Sequence, residues 1–488
     1  MNSPIRRISA GCLLLCFALL VNVTYVQGFW ADELNARSEN RRVLLDEYSR
    51  ERGPILLADD TPIARSVPVD SEYAFLREYP YPAMYAPLTG YYSYFYGRTA
   101  LERAQNDILS GDDDRLFVRR LIDLVTGEDP KGGAVKLTID PAAQEAAWEG
   151  LEGYKGAVVA LDVETGAILA AANRPSFDPN AMASHDIEEQ TAAKESLDSD
   201  EDQPALNRAL AQRLPPGSVF KLVTAAAALE SGEIEPETDI PGPAEYDLPL
   251  TDNTLGNYFD GECGPGGTTN LIEALRISCN TAFAYLGNEL GDDALREQAE
   301  RFGFNTQPLT NDDMNAATSV FPDEADEPQT AYSAIGQFEV AATPLQIAMV
   351  SAAIANDGVL MEPYLVREVR GPDLVSAIEQ TEPEERSQAV SKETAEQLTE
   401  MMVGVVEDGT GSNAQIDGIE VAGKTGTAQT GRDDPPYAWF TSFAPADEPK
   451  VAVAVVIEEA PDTARGDIGG GALAAPIARA VMEAVLGS

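Results

Sequence analysis

The chain has 488 residues, 44% of them hydrophobic, with 81 acids against 34 bases and a formal charge of −47. That length and apolar content exclude a disordered protein and supply cores for two or three domains. The charge excludes a nucleic-acid binder, because phosphate contacts need a basic footprint that this sequence lacks. With one histidine, His185, and no metal-spaced His/Cys set, a zinc site of the usual composition is not expected.

At the N-terminus, Arg6 and Arg7 precede 24 uncharged residues, Ile8 to Ala31. As a helix that stretch reaches about 36 Å, enough to cross a hydrocarbon core of about 30 Å. The paired arginines place the N-terminus in the cytoplasm, and Tyr25 and Trp30 suit the outer interface. No A-x-A-like site follows the apolar run, so residues 1–32 read as an uncleaved anchor, with a cleaved signal peptide as the alternative. Cys12 and Cys16 fall inside this segment as lipid-facing small residues.

Residues 33–140 read as a pedestal domain. A charged stalk, Glu33 to Arg50, leads to two strands, Arg52 to Leu57 and the Ile63-Ala64 pair, joined by a turn at Asp59-Asp60. The tyrosine-rich YYSYFYGR, Tyr91 to Arg98, reads as packing. From Ala134, AVKLTID alternates as a strand and PAAQEAAWEGL follows as an amphipathic helix. AVVALDVETGAILAAANRPS then predicts a β-hairpin turning at Thr165-Gly166. His185 reads as a surface residue, and the acidic stretch 186–203 as a solvated loop. Leu222 to Leu229 is an alanine-rich helix, and a second helical block runs near Leu271 to Gly291. The chain closes with EVAGKTGTAQT, AWFTSFAP, VAVAVVIEEA and the helix AAPIARAVMEAVL. Strands at both ends with helices between predict an α/β domain, 141–488, whose sheet is completed by both halves.

The chemistry concentrates where Pro215-Pro216-Gly217 breaks the chain and Ser218 and Lys221 follow at i and i+3, one helical turn apart on one face. A serine hydroxyl is a poor nucleophile until a base takes its proton. A lysine near pKa 10.4 serves as that base only if burial or another cation lowers its pKa. The N-terminus of the helix adds free N–H groups that can face an oxyanion. S-x-x-K alone is weak, a surface serine beside an exposed lysine being the bland alternative. Two further segments in order, Ser278-Cys279-Asn280 and Lys424-Thr425-Gly426-Thr427, supply a second serine and a second lysine. Together they make a coherent acyl-transfer site without histidine. Cys263 and Cys279, sixteen apart in the exported part, are a disulfide candidate that would tie down the loop bearing Ser278 and Asn280; two buried free thiols are the alternative.

PPGSVFK, SCN and KTGTAQ resemble the three active-site motifs of the penicillin-binding serine acyltransferases. RGPILLADDTPIA is similar to the early segment of the class B members. LTIDPAAQ, ALDVETGAILAAANRPSFDPN, AIGQFEVAATPLQIAM and AWFTSFAP are similar to their transpeptidase landmarks. The resemblance implies a membrane anchor, a mixed pedestal or dimerisation domain, and a serine β-lactamase-like transpeptidase domain with a central antiparallel sheet flanked by helices.

The implied activity is peptidoglycan D,D-transpeptidation. Ser218 would attack the penultimate D-alanine, releasing the terminal one, with Lys221 as base. Ser278 would bridge the lysines and relay a proton, and Asn280 would hold the bound peptide. Lys424 would depress the pKa of Lys221 and draw the substrate carboxylate, which Thr425 and Thr427, flanking Gly426, would bind. The N–H groups of Ser218 and Thr427 would form the oxyanion hole. No metal or organic cofactor is implied. The implied partners are stem peptides ending in D-Ala-D-Ala, β-lactams, the cytoplasmic membrane, and a separate glycosyltransferase of the shape, elongation, division and sporulation type. Residues 33–140 are too short for the glycosyltransferase domain of class A members. A D,D-carboxypeptidase or β-lactamase of the same fold and an idle β-lactam-sensing scaffold are the alternatives. The anchor argues against a secreted β-lactamase, and the intact motifs argue against the scaffold.

Overall fold

The structure, a computed structural model, describes residues 2–30, 48–71, 73–117, 127, 130–309, 314, 316–430 and 434–487. The N-terminal apolar run forms a single helix, α1 (Asn2–Phe29). Its Ile5–Phe29 portion has a mean hydropathy of 2.0 and no buried residue, and is long and apolar enough to cross a membrane. Cys12 and Cys16 lie exposed on it. Most of the expected stalk, residues 33–47, lies outside the described residues.

In chain order there follow β1 (Ile55–Leu56), β2 (Pro62–Pro68), β3 (Phe75–Glu78), α2 (Pro82–Thr89), β4 (Ala134–Leu137), α3 (Pro141–Gly150), β5 (Lys155–Asp162) and β6 (Ile168–Arg174). Then come α4 (Ile187–Ser199), α5 (Lys221–Glu230), α6 (Leu271–Arg276), α7 (Asn280–Leu290), α8 (Pro344–Ala355), β7 (Val366–Arg370), β8 (Ala377–Gln380) and α9 (Lys392–Glu407). The C-terminal elements are β9 (Ala422–Ala428), β10 (Tyr437–Ala444), β11 (Val451–Glu459) and α10 (Ala475–Gly487).

Two sheets organise these elements. The first has the order β8-β7-β4-β1-β2-β3, with Ile55 opposite Ala64 on one side and Val135 on the other, and Val135 opposite Val369. Residues 366–380 therefore complete a sheet that residues 55–137 begin, so the boundary expected at 140 is crossed by strand pairing. The second sheet, β9-β10-β11-β5-β6, is antiparallel throughout and takes strands from both halves of the 141–488 region, as expected.

Alternation sorts the second sheet's side chains onto two buried faces. Val158 and Ala160 of β5, with Val453 and Val455 of β11, pack against Ala143 and Ala147 of α3 and Ala478, Val481 and Met482 of α10. Ala157, Val159 and Leu161, with Ala454 and Val456, face the other core, shared with α5 and α8. Each fully buried Val or Leu contributes about 1.5–3 kcal/mol, so sheet and flanking helices form as one unit.

One expectation fails in the acidic stretch. Residues 187–199 form a helix, not a loop. Asp186 caps it by accepting from the Glu188 N–H at 2.8 Å, and Glu188 and Glu189 in the first turn suit its positive end. Buried Gln190 accepts from the Ser93 hydroxyl, and Ala193 and Leu197 pack against Ala86, Tyr91, Phe177 and Met182. His185, just before it, is not on open surface. Its ring lies 4.7 Å from that of Tyr73, and burial lowers its pKa. The YYSYFYGR segment packs in part: Tyr91 and Tyr92 are buried, Tyr92 stacking on Tyr48 at 4.5 Å, while Phe95 and Tyr96 are exposed.

The first sheet is locked by an ion cluster. Glu102, fully buried, accepts from Arg52 Nε at 2.6 Å, Arg77 Nε at 2.7 Å and the Tyr79 hydroxyl at 3.2 Å. Burial pushes its pKa up, but Arg77 and Arg52 outweigh that and hold the carboxyl below its usual value. Arg77 also donates to the Gly53 carbonyl at 2.8 Å, tying β3 to the chain leading into β1. Replacing Glu102 by Gln leaves two buried guanidiniums without a counter-charge, a loss of about 3–5 kcal/mol. Denaturant unfolding should show this as a lower midpoint; an unchanged midpoint would contradict the assignment.

Candidate active site

Ser218 sits on one turn of 3-10 helix, Gly217–Phe220, that runs straight into α5. The turn is fixed from three sides. The Trp439 indole N–H donates to the Pro215 carbonyl at 3.0 Å, and the Gly217 N–H donates to the Gly336 carbonyl at 2.9 Å. Beneath it Phe220 packs against the rings of Phe304 and Phe321 at 5.5 and 5.7 Å. Gly336 adopts φ +70°, and a Cβ there would strike the Gly217 carbonyl, so this close approach requires glycine. Gly426 serves likewise from the other side: a Cβ would press at 3.0 Å on both Trp439 Cβ and Val219 Cγ1. The edge strand β9 can therefore lie along the Ser218 turn.

Lys221, the first residue of α5, is wholly buried. Its Nζ donates to the Ser278 carbonyl at 2.8 Å, to Asn280 Oδ1 at 2.8 Å and to Ser278 Oγ at 3.3 Å. No hydrogen bond joins it to Ser218, although their i and i+3 spacing puts both on one face of the turn. Its three donor positions face the Ser278-Asn280 segment instead. Ser218 is half-buried between buried Gly217 and Val219.

Ser278 lies between α6 and α7 with φ +61°, a left-handed conformation that costs a serine of order 1–3 kcal/mol. The corner is held by Ser278 N–H to Leu275 O at 3.2 Å and Cys279 N–H to Ala274 O at 2.8 Å. It directs the Ser278 carbonyl at Lys221 and places Oγ between the two lysines. Lys424, wholly buried on β9, donates to Ser278 Oγ at 2.9 Å and to the Thr425 carbonyl at 2.8 Å. Cys263 and Cys279 form a disulfide with Cα atoms 6.0 Å apart, and Cys279 caps α7.

Among the described residues no salt bridge neutralises either lysine. Burial, and then repulsion from Lys424, lowers the Lys221 pKa well below its ordinary value. Burial alone lowers Lys424 to about 7. Because charge on one ammonium disfavours charge on the other, the pair titrates as a unit. The repulsion from Lys424 adds to burial in lowering the Lys221 pKa.

The structure thus joins Lys221, Ser278, Asn280 and Lys424 by hydrogen bonds and packs the strand carrying Thr425, Gly426 and Thr427 against the Ser218 turn. Thr425 is buried, and its hydroxyl is 2.6 Å from that of Thr410. Thr427 is half-buried beside Gly469. Thr410, Gly336 and Trp439 were not singled out from sequence, because their roles arise only from tertiary contacts.

Residues 156–483 match the penicillin binding protein transpeptidase domain, and residues 52–135 match the penicillin binding protein A dimerisation domain. The chain is 47% identical to the peptidoglycan D,D-transpeptidase PbpA of Mycolicibacterium smegmatis, over 100% of this chain and 99% of that protein. It is equally similar, over the same shares, to the protein of that name from Mycobacterium tuberculosis. The ceftriaxone acyl-enzyme complex of penicillin-binding protein A from M. tuberculosis superposes with a TM-score of 0.87 at 45% identity, covering 91% of this chain and 100% of that one. The corresponding imipenem acyl-enzyme complex superposes with a TM-score of 0.85 over the same shares. With the expected fold, motifs and sheet all in place, the chain belongs to the class B penicillin-binding proteins, its transpeptidase domain preceded by a dimerisation domain.

Proposed function

We propose that the chain is a peptidoglycan D,D-transpeptidase that cross-links stem peptides through an acyl-enzyme on Ser218. The observation that carries this reading is the Ser278 hydroxyl held between two buried, uncompensated lysines, one of them a helical turn beyond Ser218. Once Lys221 is neutral, its two N–H groups suit the short contacts to Ser278 O and Asn280 Oδ1, and its lone pair is left to accept a proton. Lys424, still cationic, donates to Ser278 Oγ, so the Ser278 hydroxyl hydrogen points toward Lys221 or into the cleft.

Ser218 Oγ attacks the carbonyl carbon of the penultimate D-alanine as its proton passes to Lys221. The N–H groups of Ser218 and Thr427 face the oxyanion, a contribution of about 2.7–4 kcal/mol per donor in hydrolases. The C–N bond then breaks, and the departing D-alanine nitrogen takes a proton through Ser278. The amine of a second stem peptide attacks the Ser218 ester, forming the new amide and returning the hydroxyl. Lys424 supplies positive potential for the substrate carboxylate, and the Thr425 and Thr427 hydroxyls bind it, that of Thr425 oriented by Thr410. A β-lactam is attacked in the same way, but its leaving nitrogen stays tethered, so the ester persists.

The same reading places residues 1–32 across the cytoplasmic membrane as a single span, with the N-terminus inside and the catalytic domain outside. Glycan polymerisation is then the work of a separate membrane glycosyltransferase of the shape, elongation, division and sporulation type.

Incubating the full-length chain in detergent with benzylpenicillin should give a slowly lost mass adduct that maps to Ser218 and is absent from Ser218→Ala. Rapid turnover would instead indicate a hydrolase, and no adduct on folded protein would indicate an idle scaffold. The pH dependence follows from the lysines. Acylation needs Lys221 neutral, so its second-order rate should rise with pH as that proton is lost. It needs Lys424 cationic, so the rate should fall above about pH 7. A rate still climbing at about pH 10, as for an ordinary lysine base, would contradict this assignment.

A further inference from the structure

The first N–H groups of a helix have no partner within it. In α7 the first two, those of Asn280 and Thr281, are taken by a side chain from a distant loop, while Cys279 caps the Ala282 N–H. Asn257 Oδ1 accepts from the Asn280 N–H at 2.9 Å and from the Thr281 N–H at 3.2 Å. Its Nδ2 donates to the Pro243 carbonyl at 3.2 Å and the Gly261 carbonyl at 3.0 Å. Only an amide side chain offers an acceptor toward two donors and a donor toward two acceptors in one plane. Asn257 follows the short strand Thr254–Gly256, and the Gly256 carbonyl accepts from Asn280 Nδ2 at 3.1 Å. The Asn280 backbone and the donor end of its side chain are thus both held by residues 256–257, leaving Oδ1 aimed at Lys221 Nζ at 2.8 Å.

We infer that Asn257 is a positioning residue for acylation, acting through Asn280 to fix the Lys221 amine between Ser278 O and Asn280 Oδ1. The inference rests on the acylation reading above. Lys221 Nζ has two short contacts to this segment, Ser278 O and Asn280 Oδ1. The first is held by the Ser278 corner and the disulfide-linked Cys279 beside it; the second depends on Asn257. When Asn257 is lost, the Asn280 and Thr281 N–H groups turn to water and Asn280 Oδ1 can leave the amine. Lys221 then samples positions away from the Ser218 proton, and a misplacement of about 1 Å costs on the order of 10²-fold in rate. A residue that merely stabilised the loop would lower the melting temperature without depending on Asn280.

The test is benzylpenicillin acylation of the full-length chain in detergent, for wild type, Asn257→Ala, Asn280→Ala and the double variant, with the first-order acylation step separated from the dissociation constant of the non-covalent complex. Asn257→Ala should slow the acylation step by at least about tenfold with the dissociation constant little changed. In the Asn280→Ala background the same substitution should cost less than about twofold, since the two act as one unit. Asn257→Ser, which keeps a shorter acceptor, should fall between wild type and Asn257→Ala and gives the same comparison if the alanine variant does not fold. Acylation by folded Asn257→Ala within about twofold of wild type, or an equal factor lost in both backgrounds, would overturn the inference. A wild-type chain that forms no adduct would remove the acylation reading itself, which separates the two failures.

Discussion

Two ammonium groups disfavour each other's charge when one serine hydroxyl lies between them and protein surrounds the rest. That constraint organises this molecule. Lys221 and Lys424 are both completely buried, and each donates to Ser278 Oγ. Because no carboxylate neutralises them among the described residues, burial and repulsion from Lys424 lower the Lys221 pKa and burial lowers that of Lys424 to about 7. Acyl transfer by serine without histidine needs one amine to take a proton and one positive charge to hold an anion.

The fold contributes by making the arrangement rigid and dry. Lys424 rides on the edge strand of the five-stranded sheet, Lys221 opens a helix of the core, and Ser278 is held in a left-handed corner between two helices. Three separate stretches of chain therefore converge, and each is fixed by contacts remote in sequence. Trp439 holds Pro215, Gly336 holds Gly217, and Asn257 holds the start of the Asn280 helix. The strain in Ser278 is sustained by its packed surroundings. The 47% identity to mycobacterial PbpA proteins spans the whole chain, so the likeness includes the supporting framework as well as the motifs.

Much of this was legible in the residues. The order PPGSVFK, SCN, KTGTAQ pointed to Ser218, both lysines and Ser278, which the fold brings close. Thr165-Gly166 marked the hairpin that joins the C-terminal strands in one sheet. What escaped has physical reasons. The helix at 187–199 buries little more than Gln190, Ala193 and Leu197 on one side, too thin a stripe to show against its acids. The pairing of residues 366–370 with 134–137 is a long-range event without a local signal. The S-x-x-K spacing predicts that Ser218 and Lys221 share a face, but it says nothing about competing acceptors. Ser278 O and Asn280 Oδ1 win the lysine because they can approach to 2.8 Å. Thr410 and Asn257 belong to no quoted motif, and Gly336 lies in the AIGQFEVAATPLQIAM landmark without its contact to Gly217 being readable there.

The central claim concerns the protonation of two amines, and it can be read directly. The chain has only eight lysines, so a ¹³C-lysine-labelled sample in detergent micelles gives few enough side-chain resonances to assign by single Lys→Arg variants. In a pH titration of the free protein, Lys424 should titrate near 7 and Lys221 well below the ordinary lysine range. Lys155, Lys194 and Lys392, which bond to carboxylates, should titrate above that range. If Lys221 and Lys424 instead both held their protons to about pH 10, as unperturbed lysines do, the account of this site would be wrong.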